Sequence, residues 1–160
     1  MAKKILVVIP SYVPNKWCFD LLNWLQRSDV SHVVLFDNGG SFPKAKIKDL
    51  RKVEVVNSGC NLNWLASNNL GATIALERGY DYVCFMNDDV FLSGSFFRGM
   101  LRTFEVADNP GIVVPKYDGG FCKAASDKKT KPADWRPQDK EIKVNYTDGT
   151  CMLMPTEVIE

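Results

Sequence analysis

Two carboxylates, Asp88 and Asp89, stand side by side after Asn87, where the apolar run Tyr82–Met86 ends. Paired acids at the mouth of a buried segment are costly unless something positive lies beside them. A hard divalent cation is a natural partner, because Mg2+ and Mn2+ favour carboxylate oxygen and share their other positions with water and substrate phosphates. A solvated turn with a helix cap is the simpler alternative. Asp37 ends a second apolar run and is followed by Asn38-Gly39-Gly40, which can bend the backbone away. Its carboxylate can accept hydrogen bonds from a base or ribose, or close an Asx-turn on its own backbone. Tyr12 follows Pro10-Ser11, where an aromatic ring either stacks on a planar ligand or covers the core, and Trp64 faces the same choice. Asn57, Asn61, Asn63, Asn68 and Asn69 crowd one loop and one helix start, and capping alone accounts for one or two of them. Asn68 and Asn69 lie near a helix N-terminus, where free N–H groups favour anions.

Alternating strands and helices must position these groups. Lys4–Pro10 is an aliphatic run ended by proline, too short for a helix and apolar enough for a strand buried on both faces. Trp17, Leu21, Leu22, Trp24 and Leu25 recur at helical spacing over residues 17–27. Further strands are expected at His32–Phe36, Val53–Val56, Tyr82–Met86 and Gly111–Pro115. A helix is expected over Leu65–Arg78, closed by Gly79, and another after Ser93, with Phe96, Phe97, Met100, Leu101 and Phe104 on its apolar face. Val144–Met154 is strand-like around Asp148-Gly149, and Pro155-Thr156 begins something helical. This order predicts an α/β fold, a mostly parallel mixed sheet with helices on both faces. In such sheets ligands bind beyond the carboxyl ends of the strands. The polar clusters at 11–12, 37–38, 57–63 and 87–89 should therefore meet on one rim.

Composition bounds the rest. The chain has 160 residues, 20 basic against 19 acidic, and a net charge of +1, so no basic excess points to nucleic acid. No apolar run approaches the ~20 residues a membrane span needs, and no secretory signal is visible. Five cysteines lie far apart without a C-x-x-C pair, which fits reduced thiols and a cytoplasmic protein. The lone His32, at the start of a strand, reads as a surface or strand-edge group rather than a catalyst. Neither G-x-G-x-x-G after the first strand nor a P-loop occurs, which argues against a Rossmann dehydrogenase and a P-loop kinase. No G-x-S-x-G elbow is present, which argues against an α/β-hydrolase.

The motifs in order resemble the family 2 glycosyltransferases of GT-A fold, especially the rhamnosyltransferase-like branch. Val7-Val8-Ile9-Pro10-Ser11-Tyr12 is similar to the opening V-I-P-S/T-Y strand, and Val33–Gly39 to the second strand with its D-N-G-S turn. Asn61-Leu62, Asn68-Asn69-Leu70-Gly71 and Phe85–Val90 resemble an N-x-G-x-x-x-x-N-x-G stretch followed by a DxD-type metal motif. Asp148–Met154 looks like the G-x-C-M-L-I strand after the acceptor loop.

The resemblance implies a single GT-A domain over residues 1–160, with 117–143 as an acceptor-side surface excursion in which Trp135 can stack on a sugar or, equally, anchor a surface loop. It implies transfer from a UDP- or GDP-sugar to a glycan, a protein-linked glycan or another hydroxyl acceptor, with inversion and a Mn2+ or Mg2+ cofactor. Pro10, Ser11 and Tyr12 would line the nucleotide pocket, with Asn38 and Trp64 beside it, and Asp37 would bond the base. Asn61 and Asn69 would flank the nucleotide sugar, Asp88 would approach the ribose, and Asp89 would ligate the metal.

Several positions depart from the pattern. Asn87 replaces the motif's first acid, and Asn63-Trp64-Leu65-Ala66-Ser67 replaces a glycine-rich stretch, which alters the pocket floor. Val13 stands where an asparagine is common. Inverting relatives carry their base beyond the G-x-C-M-L strand, so the chain reads as a catalytic core cut from a longer polypeptide. Asp148 is the best placed of its late carboxylates for a base, though its position is not the family's usual one and a structural or acceptor-contact role is the stronger alternative. A nucleotide-sugar-binding module without turnover is the alternative. A nucleotidyltransferase is disfavoured, because Ser11–Asn15 contains no Lys or Arg to hold a triphosphate.

Overall fold

The computed structural model describes residues 3–92, 94–115, 143–144, 147 and 149–159. Five strands form one sheet: β1 (Ile5–Ser11), β2 (His32–Asp37), β3 (Val53–Val56), β4 (Tyr82–Met86) and β5 (Cys151–Pro155). Their spatial order is β3-β2-β1-β4-β5. The first four run parallel, and β5 pairs antiparallel to β4 with Met86 opposite Cys151. The helices are α1 (Lys16–Arg27), α2 (Asn63–Glu77) and α3 (Phe96–Val106).

Period-two alternation in β1 divides the core. Ile5, Val7 and Ile9 face the layer of α1 and α3 with Leu22, Leu25, Phe97 and Met100. Leu6 and Val8 face α2 with Ala72 and Ala75. Both faces are therefore covered, as continuous aliphatic strands require. Each fully buried Leu or Ile contributes about 1.5–3 kcal/mol. Gly71 lets α2 sit close on β1, since a Cβ there would lie 2.5 Å from a Val8 methyl.

Pro10 lies inside β1 rather than ending it, opposite Phe36 of β2. It is tolerated because the pairing of β1 with β4 ends at Val8, so the missing N–H falls where only one neighbour remains. The strand expected at Gly111–Pro115 is not formed. Val113 alone pairs, exchanging two backbone hydrogen bonds with Leu153, and prolines at 110 and 115 flank it. Of the strand-like stretch 144–154, Cys151 to Met154 lie in β5, and a short 3₁₀ turn at Thr156–Val158 follows. A second 3₁₀ turn at Lys44–Ile47, unforeseen from the sequence, links β2 to β3. Ser93, expected to cap α3, lies outside the described residues.

Candidate functional site at the sheet's carboxyl rim

The chain runs outward from β1 to β2 and β3, then returns through α2 to place β4 on the other side of β1. The switch point of the sheet therefore lies between β1 and β4. Crevices at such points are where open α/β sheets take ligands. The last residue of β1, Ser11, is buried and makes the central connection. Its hydroxyl donates to Asp88 Oδ2 at 2.6 Å, and its carbonyl accepts from the Asn38 N–H at 2.8 Å. One serine thus ties the ends of β2 and β4 together across the switch point. Gly39 is needed beside it, because a Cβ there would overlap the Tyr12 carbonyl.

Asp88 is half-buried, and burial pushes its carboxyl above the usual carboxylate range. The Ser11 hydroxyl pulls the other way, and the adjacent Asp89 charge raises it further. Asp89 is exposed. The donor set is two hard carboxylates, one open to solvent. Among the described residues neither is in a salt bridge, and no group of three His, Cys, Asp or Glu side chains forms a closed metal cage. That arrangement fits a Mg2+-type ion held by one or two carboxylates with substrate phosphates completing the shell, rather than an all-protein site.

Asp37 is buried at the end of β2, and its carboxylate accepts from the Ser41 N–H at 3.3 Å and the Phe42 N–H at 3.0 Å. These bonds brace the loop four and five residues on, a wider closure than the Asx-turn weighed from the sequence, and two backbone donors leave part of the carboxylate's capacity for a ligand. Asn38 is buried and anchors the loop before α2. Its Nδ2 donates to Ser67 Oγ at 3.0 Å, and its Oδ1 accepts from the Leu62 N–H at 3.3 Å. Ser67 in turn donates to the Asn63 carbonyl at 2.7 Å.

Local turns account for three of the five crowded asparagines, more than the one or two that capping was expected to explain. Asn57 accepts from the Gly59 N–H, and Asn61 from the Asn63 N–H. Asn63 accepts from Leu65 and Ala66 while holding a φ of 55°, the left-handed region that asparagine tolerates better than most residues. Asn69 is exposed on α2, where its carbonyl accepts from the Thr73 hydroxyl. Its neighbour Asn68 is the inward one, buried with neither end of its amide hydrogen-bonded.

Tyr12 is exposed and Pro10 half-buried, both on the rim. Trp64, at the start of α2, donates its indole N–H to Asn87 Oδ1 at 3.2 Å. The Asn87 N–H donates to the Thr150 carbonyl at 2.9 Å. Asp148, the best placed of the late carboxylates, lies outside the described residues, as do Trp135 and nearly all of 117–143. Ser67 opposite Asn38 and Gly149 under Trp64 carry no signal of their own in the sequence, because their roles depend on contacts between segments far apart in the chain. His32 has the strand-edge role expected of it, 3.1 Å from Glu54, which also holds Arg78 at 2.7 Å. The described cysteines are all free, and Cys84 and Cys151 lie 3.7 Å apart, beyond disulfide length. No helix among the described residues is long and apolar enough to cross a membrane.

No protein-family model matches the chain. It is 27% identical over 150 residues to an uncharacterized protein of Mycobacterium tuberculosis, covering 94% of this chain and 55% of that one. It is 26% identical over 118 residues to the dTDP-rhamnosyl transferase RfbF of Shigella flexneri, covering 73% of this chain and 40% of that protein. The chain thus spans about half the length, or less, of these curated relatives. In structure it is similar to residues 1–349 of S. aureus TarS, with a TM-score of 0.67, 15% identity, and coverage of 96% of this chain and 47% of that one. It is also similar to a 4-diphosphocytidyl-2C-methyl-D-erythritol synthase from Anaerococcus prevotii, with a TM-score of 0.61, 15% identity, and coverage of 99% and 72%. The fold is that of the nucleotide-diphospho-sugar transferases, with a five-stranded, mostly parallel mixed sheet.

Proposed function

We propose that this chain is the donor-binding core of a glycosyltransferase that moves a sugar from a nucleoside-diphosphate sugar to a hydroxyl of a glycan, free or protein-linked. The observation that carries the reading is the Ser11–Asp88 hydrogen bond at 2.6 Å, which sets a carboxylate pair at the switch point of a nucleotide-diphospho-sugar transferase fold. Asp89, with Asp88 beside it, would hold Mn2+ or Mg2+. Bound there, the ion would supply electrostatic stabilisation of the leaving diphosphate. Ser11 fixes the Asp88 carboxylate so that one oxygen stays oriented. Tyr12 offers an exposed ring to the base, and Asp37 keeps spare acceptor capacity for its N–H groups. In the transfer step the acceptor oxygen bonds to the anomeric carbon, the bond from that carbon to the diphosphate oxygen breaks, and the acceptor proton goes to a carboxylate base. Asp148 is our candidate for that base.

The likeness to RfbF adds dTDP-sugars to the UDP- and GDP-sugars worth testing. The likeness to the diphosphocytidyl synthase is one of fold. Residues 11–15 contain no Lys or Arg to hold a triphosphate, which argues against nucleotidyl transfer. Melting curves with each donor, with and without Mn2+, test the reading. A ligand at 100 times its Kd adds about 2.7 kcal/mol, and Asp89→Ala should abolish the effect. No stabilisation by any nucleotide would overturn the reading. Binding without donor hydrolysis or transfer would instead identify a nucleotide-sugar-binding module.

A further inference from the structure

The indole of Trp64 closes a three-way contact at the rim. Its N–H donates to Asn87 Oδ1 at 3.2 Å, and Asn87 opens the Asn-Asp-Asp run. The ring lies against Gly149, where a Cβ would come 2.8 Å from Cζ2 and 3.1 Å from Cη2. The Asn87 N–H is bonded to the carbonyl of Thr150, the next residue along. Asn87 is therefore held by its backbone to the approach to β5 and by its side chain to the first turn of α2. An indole N–H can only donate, so it fixes which end of the Asn87 amide faces it. The two carboxylates that follow inherit this orientation through a chain of one and two residues.

We infer that Trp64 is a positioning residue, which orients Asn87 and through it sets the Asp88–Asp89 turn for its ligand, with Gly149 left bare so that the ring can lie there. The inference rests on the nucleotide-sugar reading of the rim and gives Trp64 a role other than stacking on the nucleotide. A ring that only covered the backbone would need no acceptor for its N–H.

The test is a double-mutant cycle on the full chain with Trp64→Phe, Asn87→Ala and the pair. Affinity for UDP, GDP and dTDP in the presence of Mn2+ is measured by calorimetry, and the unfolding midpoint is followed without ligand. Trp64→Phe removes the donor together with the Cζ2 and Cη2 atoms that lie against Gly149, whereas Asn87→Ala removes the acceptor and leaves the indole in place, so the cycle isolates the hydrogen bond. Each single change should weaken nucleotide binding about fivefold, the effect of one lost hydrogen bond, and the pair should weaken it no further than either alone. Asn87→Asp, which keeps the acceptor, should bind at least as tightly as the parent. Additive effects, unchanged affinity in Trp64→Phe, or coupling seen in unfolding but absent from binding would each overturn the inference while leaving the nucleotide reading intact. A parent chain that binds none of the three nucleotides would overturn both.

Discussion

Replacing Asp88 by asparagine separates what the carboxylate does for the fold from what it does for a ligand. Asp88 is half-buried, and burial, reinforced by the neighbouring Asp89 charge, holds its carboxyl above the usual range despite the Ser11 hydroxyl. A carboxyl raised in the folded state contributes stability below its unfolded pKa, and that contribution is lost as pH rises through the raised folded value. At neutral pH the charge therefore works against the free fold. The amide oxygen introduced by Asp88→Asn would still accept from Ser11 at the place where the 2.6 Å bond now forms. The free Asp88→Asn protein should melt at or above the parent temperature at pH 7, with the difference shrinking as pH falls into the ordinary carboxylate range. If the proposed function holds, a nucleotide and Mn2+ at 100 times Kd should stabilise the parent by about 2.7 kcal/mol. For a chain of this size that is about 5–11 °C in Tm, at roughly 2–4 °C per kcal/mol. The substituted protein should lose nearly all of this gain. Scanning calorimetry or dye-monitored melting reads both quantities. A free variant that melts well below the parent, or one that keeps the ligand increment, would refute the reasoning.

Other perturbations test the frame around the rim. Gly71→Ala should cost about 1–3 kcal/mol by overpacking, because its Cβ meets both Val8 methyls at 2.5 and 2.6 Å, and Val8→Ala in the same chain should recover part of the loss in urea midpoints. Asn63→Ala should lower stability by about 1–2 kcal/mol by removing the cap on the Leu65 and Ala66 N–H groups, whereas Asn63→Gly should cost less, since glycine takes the positive φ freely. The Glu54 carboxyl is held below its usual range, chiefly by the Arg78 hydrogen bond and also by His32. Its stabilising contribution is thus present above the unfolded glutamate pKa and lost as pH falls through the lowered folded value. Denaturant titrations of Glu54→Gln against the parent should differ by no more than about 1 kcal/mol at neutral pH and converge in acid.

The sequence made some of this arrangement legible, and physics explains which parts. β1, β2 and β4 announce themselves because strands covered on both faces must be aliphatic throughout, and Val8 and Ile9 face opposite helical layers. The convergence of Ser11, Asn38 and Asp88 follows once a parallel sheet is assumed, because each lies at the end of a strand. The start of α2 falls two residues earlier than expected, since Asn63 begins it from a left-handed conformation that no apolar periodicity records. The stretch around Val113 has strand composition but finds only one partner residue, Leu153, and pairing is a property of the neighbour as much as of the segment. Ser67 opposite Asn38, and Gly149 under Trp64, depend on contacts between distant segments. Nothing in residue type alone foretells them.

The anchors on either side of residues 116–148 have an evolutionary consequence. Before that stretch, Val113 is locked to Leu153 by two backbone hydrogen bonds, and after it Thr150 is fastened to Asn87. The two ends are thus fixed by the sheet itself, whatever lies between them. Closing a connection costs only about 0.6 kcal/mol more for each doubling of its length. Such a segment can be lengthened, shortened or exchanged between descendants while the carboxylate rim keeps its shape. On the glycosyltransferase reading proposed above, such a scaffold would take a new acceptor by a change in that stretch, with the residues proposed to bind the donor left alone.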